Sequence, residues 1–161
     1  MQNIKIEIKW AIIFSVVTLL WMVLEKLVGL HGTHIDKHMI YTNFFAIPAI
    51  ILVVLALRDK RKNFYNGTMT YKQGLISGLI LSVFIALLSP VTQYLISTII
   101  SPEYFPNIIE YTVDSGMMSQ EAASAAFNLQ SYMLQASMGG LIMGILTSAI
   151  VAVFLRKAVV A

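Results

Sequence analysis

The residues of this chain best suited to chemistry are three histidines within eight positions. His31, His34 and His38 lie in the segment HGTHIDKH, which also carries Asp36. Positions i, i+3 and i+7 of a regular helix share one face, and imidazoles with a carboxylate are good zinc ligands. Two glycines interrupt the helical pattern, however, and the spacing matches no strong zinc signature. We therefore predict a polar loop with hydrogen-bonded histidines, no metal and no cofactor; a metal site at His31, His34 and His38 is the alternative.

An ionisable pair, Glu25 and Lys26, precedes the histidines at the end of an apolar run that begins near Trp10. As a helix, this run would carry Glu25 about 22 Å along its axis. Ionisable groups within a membrane span often mark functional sites, whereas a lysine near a span end can extend to the lipid headgroups. Glu25 could therefore bind a substrate or couple protons, or it could cap or pair with a neighbour. Together with the three histidines, Glu25 and Lys26 are the candidate functional residues.

A line of polar side chains lies beside Pro90, which, like Pro48, predicts a helix bend. Its members are Ser89, Thr92, Gln93 and Ser97, which could face Asn43 and Gln135. Hydroxyls and amides on a bent helix can line a path for a solute, although more often they hold helices together by hydrogen bonds. The sequence carries no phosphate-binding loop, nucleophile elbow, HExxH pattern or dinucleotide fingerprint. We therefore predict no catalytic residues and no enzymatic activity.

The elements that carry these residues follow from the composition. The 161 residues are 58% hydrophobic and 12% charged, whereas soluble domains average about 25% charged residues. No Asp, Glu, Lys or Arg occurs in four stretches, residues 10–24, 39–57, 73–102 and 122–155. Because about 20 apolar residues cross a bilayer as a helix, we predict one all-α domain over residues 1–161, with four transmembrane helices near 10–30, 40–57, 72–101 and 133–155. This composition argues against a soluble, disordered or nucleic-acid-binding protein.

The connection between the third and fourth spans is predicted to contain an amphipathic helix. Pro102 and Pro106 suit the start of this helix, and Gly116 suits its end. Its apolar face would consist of Tyr104, Phe105, Ile108, Ile109 and Tyr111. This face could lie on the membrane surface or cap the bundle. Ser119 is a suitable N-cap for a second helix from Gln120, which we expect to continue into the fourth span.

Small residues recur at every fourth position in the third and fourth spans. They are Gly74, Gly78 and Ser82 in one span and Gly140, Gly144 and Ser148 in the other. This spacing places small residues on one helix face, where two backbones can approach closely. We predict that the third and fourth spans pack on each other, and a homo-oligomer through the same faces is the alternative.

The basic residues are sorted along the chain. Nine of the eleven fall before the first span, between the second and third, or after the fourth: Lys5, Lys9, Arg58, Lys60, Arg61, Lys62, Lys72, Arg156 and Lys157. The charged residues of the connection between the third and fourth spans are all acidic. Lys and Arg mark the cytoplasmic loops of membrane proteins, so we predict that both termini are cytoplasmic. The cluster RDKRK is expected to anchor the chain at anionic headgroups, with the lipid bilayer and no nucleic acid as its partner.

Several of these segments together resemble a family. The stretch LWMVLEKLVGLHGTHIDKH, a second span containing proline, and the later KQGLISGLI and ISPEYFPNIIEY are similar to small bacterial membrane proteins, grouped as domain of unknown function 4199 and found mainly in Bacteroidota. The resemblance covers essentially the whole chain. It implies a four-helix protein of the bacterial inner membrane and supplies no active site.

These observations favour a non-enzymatic accessory or scaffolding membrane protein. One alternative is a small oligomeric transporter or channel that uses Glu25 and the Pro90 region. The other is a membrane-embedded metalloenzyme with a site at His31, His34 and His38.

Overall fold

The structure, a computed structural model, describes residues 4–157. It is 82% helical, and the described residues contain no strand, which confirms the predicted all-α class. The α-helices are α1 (Lys5–Leu27), α2 (Ile35–Tyr41), α3 (Ala46–Asn63), α4 (Tyr71–Leu95), α5 (Tyr104–Asp114), α6 (Gln120–Ala126) and α7 (Leu129–Leu155). A 3-10 turn at Thr42–Phe45 joins α2 to α3, and a π turn at Ile96–Ile100 extends α4.

Four helical segments are long and apolar enough to cross a membrane. They are Lys5–Leu27, Ile35–Asn63, Tyr71–Ile100 and Leu129–Leu155. The predicted number of spans is therefore confirmed, and the chain is a membrane protein. One end of the bundle carries the start of α1, the end of α3 and the end of α7, and we call it the basic end. The other end carries the end of α1, together with α2 and α5, and we call it the histidine end.

Both prolines expected to bend a span lie near backbone irregularities. Pro48 occupies the first turn of α3, directly after the 3-10 turn. Proline lacks an N–H group and its ring crowds the carbonyl four residues earlier. A regular α-helix therefore cannot run unbroken from the preceding turn through Pro48. Pro90 lies inside α4, which continues to Leu95 and then widens into the π turn.

The second helix of the connection does not continue into the fourth span. Ser119 is its N-cap, as predicted, because its hydroxyl accepts a hydrogen bond from the Ala122 amide. The helix nevertheless ends at Ala126, since Phe127 has non-helical angles (φ −100°, ψ 75°). Asn128 then caps α7 by accepting from the Ser131 amide at 2.9 Å. The expected continuous helix is therefore wrong, because the chain caps α7 anew.

The packing of α4 against α7 is the most extensive contact between two helices. Their small residues face one another, so that a Cβ atom built on Gly78 would lie 2.2 Å from the Cβ of Ser148. A Cβ atom on Gly144 would lie 2.5 Å from the Oγ of Ser82. Helix α1 packs on α4, and α3 packs on α1 and α7 while touching α4 only sparsely. Within one chain, the small-residue face of α4 thus packs on that of α7. An oligomer formed through these faces would require α4 and α7 to separate.

The close approach of α4 and α7 leads to a first prediction. Gly78→Ala or Gly144→Ala should lower the free energy of unfolding by about 1–3 kcal/mol, because the added methyl group forces the helices apart. Thermal unfolding in detergent, followed by circular dichroism, measures this. The matched control is Gly139→Ala in α7, whose added methyl would meet no atom within 4 Å. Equal melting temperatures for all three variants would contradict the packing role of Gly78 and Gly144.

Candidate functional site

The histidine end is built around a reversal of the chain after α1. Glu25 lies in the last turn of α1, and the chain then turns tightly through residues 28–34. Gly29 adopts a positive φ of 83°, which favours glycine, and its carbonyl accepts a hydrogen bond from the His34 amide at 2.8 Å. The Leu30 amide bonds the carbonyl of Glu25 at 3.0 Å. This turn folds His31 back onto Glu25, and α2 then brings His38 to the same point.

Three potential metal ligands converge there. Glu25, His31 and His38 each offer one ligand atom, and these atoms all lie within 4.8 Å of one another. The Nε2 atoms of His31 and His38 are each 3.3 Å from Oε2 of Glu25. The exposed fractions of the three side chains are 1% for Glu25, 4% for His31 and 12% for His38. A carboxylate and two imidazoles therefore face one another away from water.

A second layer of side chains orients these three. The Nδ1 atom of His31 is 2.6 Å from the Ser101 hydroxyl, which lies just after the π turn. The Nδ1 atom of His38 is 3.3 Å from the Tyr104 hydroxyl. The Trp21 indole N–H donates to Oε1 of Glu25, the oxygen that the histidines leave free. Each imidazole is thus held at Nδ1 and presents Nε2 to the carboxylate; histidines that bind metals are commonly held in this way at the ring nitrogen that does not bind the metal.

Helix α5 covers this group. Tyr104 is buried in its first turn against His38 and shares a hydrogen bond with the Tyr132 hydroxyl of α7 at 3.1 Å. Burial, followed by the neighbouring Tyr132, raises the pKa of the Tyr104 phenol above its usual range, so it keeps its proton. Asn107 donates to the backbone carbonyl of His31 at 2.8 Å. Of the two predicted positions for the apolar face of α5, the structure has the one that caps the bundle.

An ion pair fastens the edge of this cover. The Lys26 ammonium bonds the Ile100 carbonyl at 2.5 Å and the Glu103 carboxylate at 3.1 Å. A backbone hydrogen bond at Glu103, and then Lys26, hold the pKa of the Glu103 carboxyl below its usual value. Because Glu103 is largely exposed, the pair contributes little to the free energy of unfolding. Lys26 therefore positions the start of α5 and does not join the buried group.

The five candidate residues divide in a way that helical periodicity did not predict. Glu25, His31 and His38 come together, whereas His34 is exposed and its Nδ1 atom lies 2.9 Å from the Thr33 hydroxyl of its own turn. The periodicity treated the histidines as positions on one helix. The chain reversal at Gly29 instead replaces His34 by Glu25 in the buried group.

The donor set and its spacing suit a divalent transition metal. In a tetrahedral site with bonds of about 2.0–2.1 Å, neighbouring ligand atoms lie about 3.3–3.4 Å apart. Both separations between an imidazole and the carboxylate have this length. The third edge, between the two imidazoles, is at most 4.8 Å. Two imidazoles, one carboxylate and one open position make a donor set that zinc commonly occupies.

A model of a known protein family matches the chain. The model of the family described as "Protein of unknown function (DUF4199)" matches residues 9–157, nearly the whole chain. The chain belongs to this family. No curated protein and no solved structure matched it. The match confirms the family that the sequence resembled and does not test a Bacteroidota origin. The family description assigns no activity to the buried group of this DUF4199 protein.

A second buried charged cluster lies at the basic end of the DUF4199 protein. The Lys60 ammonium of α3 is 2.8 Å from Oε1 of Glu7 in α1, and the Ser77 hydroxyl of α4 donates to the same oxygen at 2.7 Å. Glu7 and Lys60 are each 2% exposed. Sequence analysis missed this cluster, because Lys60 was counted with the loop charges of RDKRK. The available signal was Glu7, an acidic residue within an otherwise basic segment.

The phenol of Tyr104 provides a second prediction. Tyr104→Phe removes the hydroxyl between His38 and Tyr132 and leaves both groups without that partner. We expect the free energy of unfolding to fall by about 1–3 kcal/mol, the cost of leaving a buried polar group unpaired. Thermal unfolding in detergent measures it, with Tyr41→Phe at an exposed position as the control. A melting temperature equal to that of the control would mean that the phenol does not hold α5 in place.

Proposed function

We propose that this protein is an integral membrane protein that binds one divalent transition-metal ion, of the Zn²⁺ type, through Glu25, His31 and His38. The observation that carries the proposal is the pair of 3.3 Å separations from one carboxylate oxygen to two imidazole Nε2 atoms. The burial of all three groups supports it, since a buried carboxylate favours a cation within reach. The sequence led us to expect no metal, with His31, His34 and His38 as the alternative ligand set. The proposed function replaces that expectation, and its ligand set contains Glu25 in place of His34.

The competing interpretation is a purely structural hydrogen-bond network. In it, both imidazoles would donate from Nε2 to the Glu25 carboxylate. A separation of 3.3 Å is at the long end of hydrogen bonds, as is the Tyr104–His38 contact. The same separation equals the edge of a tetrahedral zinc site. The convergence of two imidazoles and a carboxylate on one point, together with this distance, supports the metal.

We propose a non-enzymatic accessory role for the metal-bound protein. The three ligands belong to α1, to the turn after it and to α2, and their Nδ1 partners Ser101 and Tyr104 belong to the start of the cover. A metal ion would thus join the first span to the cover of the bundle. The open fourth position would take water or a ligand from a partner protein. A metalloenzyme at this centre is the alternative, and hydrolytic turnover lost in Glu25→Gln would favour it.

The transport hypothesis joined Glu25 to the Pro90 region. A cavity of about 410 Å³ among the spans is lined by Ser89, Thr92 and Gln93, but Glu25 is not among its lining residues. Transport would therefore need a path between two separate places, which makes it the weaker proposal. Flux into proteoliposomes that is lost in Glu25→Gln would favour transport over the accessory role.

The charge distribution supports a location for the metal centre. We propose that the protein lies in the bacterial inner membrane with both termini and the basic end in the cytoplasm, so that the histidine end faces outward. The support is the concentration of Lys and Arg at the basic end, which is the usual mark of a cytoplasmic side. The outward side is also the side from which exogenous metal would arrive.

Metal titration provides the third prediction. Purified, chelator-treated protein in detergent should bind one Zn²⁺ per chain in isothermal titration calorimetry, and Co²⁺ should give the absorption bands of a tetrahedral site. Glu25→Gln and His38→Ala should each weaken the binding by more than about tenfold, because each removes a ligand. His34→Ala is the matched control and should bind as the unaltered protein does.

Two outcomes would overturn the metal proposal. One is the absence of Zn²⁺ binding by the unaltered protein. The other is binding that Glu25→Gln and His38→Ala leave unchanged. Circular dichroism of each variant shows whether its helices are intact, and a variant that has lost them is replaced by His31→Gln, which keeps a polar side chain at the site.

A fusion series provides the fourth prediction, for orientation. Fusions of alkaline phosphatase and of a fluorescent protein after residues 65, 115 and 161 report which side each position occupies. We expect fluorescence after residues 65 and 161 and phosphatase activity after residue 115, because basic loops stay in the cytoplasm. Fluorescence after residue 115 would contradict the proposed orientation of the histidine end.

A further inference from the structure

A cavity of about 410 Å³ lies between α1, α3, α4 and α7, at the level of the apolar spans. This volume falls within the range of about 300–1,000 Å³ that is typical of small-molecule sites. The cavity lies among these helices, where α3 makes fewer contacts with α4 than with α1 or α7. None of the ligands of the proposed metal centre lines it. It is therefore a separate place in the molecule.

The cavity opens on the surface that the spans present to the bilayer. Ile50 of α3 and Met143 of α7 both line it, and their exposed fractions are 47% and 62%. A residue that lines the cavity and is also half exposed lies at its mouth. This mouth therefore lies between two apolar helices, on the surface that the spans would present to lipid.

The interior of the cavity has room beside a glycine. A Cβ atom built on Gly139 would meet no atom within 4 Å. A Cβ atom on the neighbouring Gly140 would make only ordinary contact, 3.6 Å from Ile85 and Ser89. The two glycines therefore leave a space that the surrounding side chains do not fill.

The polar groups of the lining are neutral, and several of their hydroxyls already donate within their own helix. The hydroxyls of Ser15, Thr18, Ser89 and Thr92 each donate to the carbonyl four residues earlier in their own helix. Likewise, Gln93 donates from its amide nitrogen to Ser97, and Asn43 donates to the Met39 carbonyl. Their oxygen atoms keep accepting capacity. The lining contains no Asp, Glu, Lys, Arg or His.

We propose that this cavity binds an uncharged lipid alcohol, with its chain against the apolar walls and its hydroxyl donating to the amide oxygen of Gln93 or Asn43. The neutral lining disfavours a charged headgroup, because an unpaired charge in an apolar site costs several kcal/mol. The amide oxygens of Gln93 and Asn43 have accepting capacity, which favours a ligand that brings a donor. The mouth on the bilayer side suits a molecule that dissolves in lipid.

Photolabelling with matched probes tests the proposal. The intact protein in detergent is irradiated with a hexadecanol that carries a diazirine on its chain, and the labelled residues are mapped by mass spectrometry. The comparison probes are the methyl ether of the same alcohol, which cannot donate, and the corresponding fatty acid, which is charged. We expect the alcohol to label residues of the cavity about fivefold more than the ether does, which is the effect of one net hydrogen bond. The fatty acid should label the cavity least.

Two variants and a control locate the binding. Gly139→Leu fills the free space and should reduce labelling of the cavity by at least tenfold. Gln93→Leu removes an acceptor and should abolish the preference for the alcohol over the ether. Gln135→Leu makes the same change at an exposed position of α7, and the probes should label this variant as they label the unaltered protein. Zn²⁺ titration of Gly139→Leu should be normal, which separates this site from the metal centre.

Three results would overturn the proposal. They are labelling spread evenly over the outer surfaces of the spans, labelling that Gly139→Leu leaves unchanged, and stronger labelling by the fatty acid than by the alcohol. The melting temperature of each variant shows that it is folded. Should Gly139→Leu fail to fold, Gly139→Val fills part of the same space and is held to the same criterion.

Discussion

The Glu25 carboxylate is a buried anion at the end of a membrane-spanning helix, and much of the histidine end is arranged around it. Burying such a charge is costly unless donors or a cation surround it. Trp21 supplies a donor from the preceding turn of α1, and the positive φ of Gly29 returns the chain so that His31 supplies a second contact. His38 completes the set from α2. The turn after α1, the short helix α2 and the covering helix α5 together keep this carboxylate paired and away from water.

The basic end meets the same physical constraint with a different solution. There the buried carboxylate of Glu7 is paired with the Lys60 ammonium and receives the Ser77 hydroxyl, so that α1, α3 and α4 are joined through one anion. Removing one partner of such a pair would leave an uncompensated charge in an apolar environment. Between the two ends, α4 and α7 form a closely packed pair that needs small residues and no charge. Buried charged groups thus join the helices at both ends of the bundle, whereas close packing joins them in the middle.

What the sequence could predict depended on how local the responsible physics was. The four spans were predictable because the bilayer demands length and apolarity, and Ser119 was predictable because a cap acts within three residues. The partners of Glu25 were not, because the helical spacing of the histidines holds only if the chain continues as a helix. Gly29 breaks that condition, and Gly29 and Gly32, the two glycines after Glu25 and Lys26, were the signal in the sequence that the helix does not continue. Lys60 was misjudged for a related reason, since a basic run shows which residues are charged but not which of them turns inward.

The proposed metal centre and the proposed lipid site are separate, yet they share a wall. Phe45 lines the cavity and packs on Trp21 with ring centroids 5.7 Å apart, while Trp21 donates to Glu25. Phe45 also contacts Phe14, another lining residue, at 5.8 Å. The Trp21 indole that bonds Glu25 thus also rests on a ring that bounds the proposed lipid site. The 3-10 turn before Pro48 is the element that carries Phe45, and it thereby sets this ring between the two proposed sites.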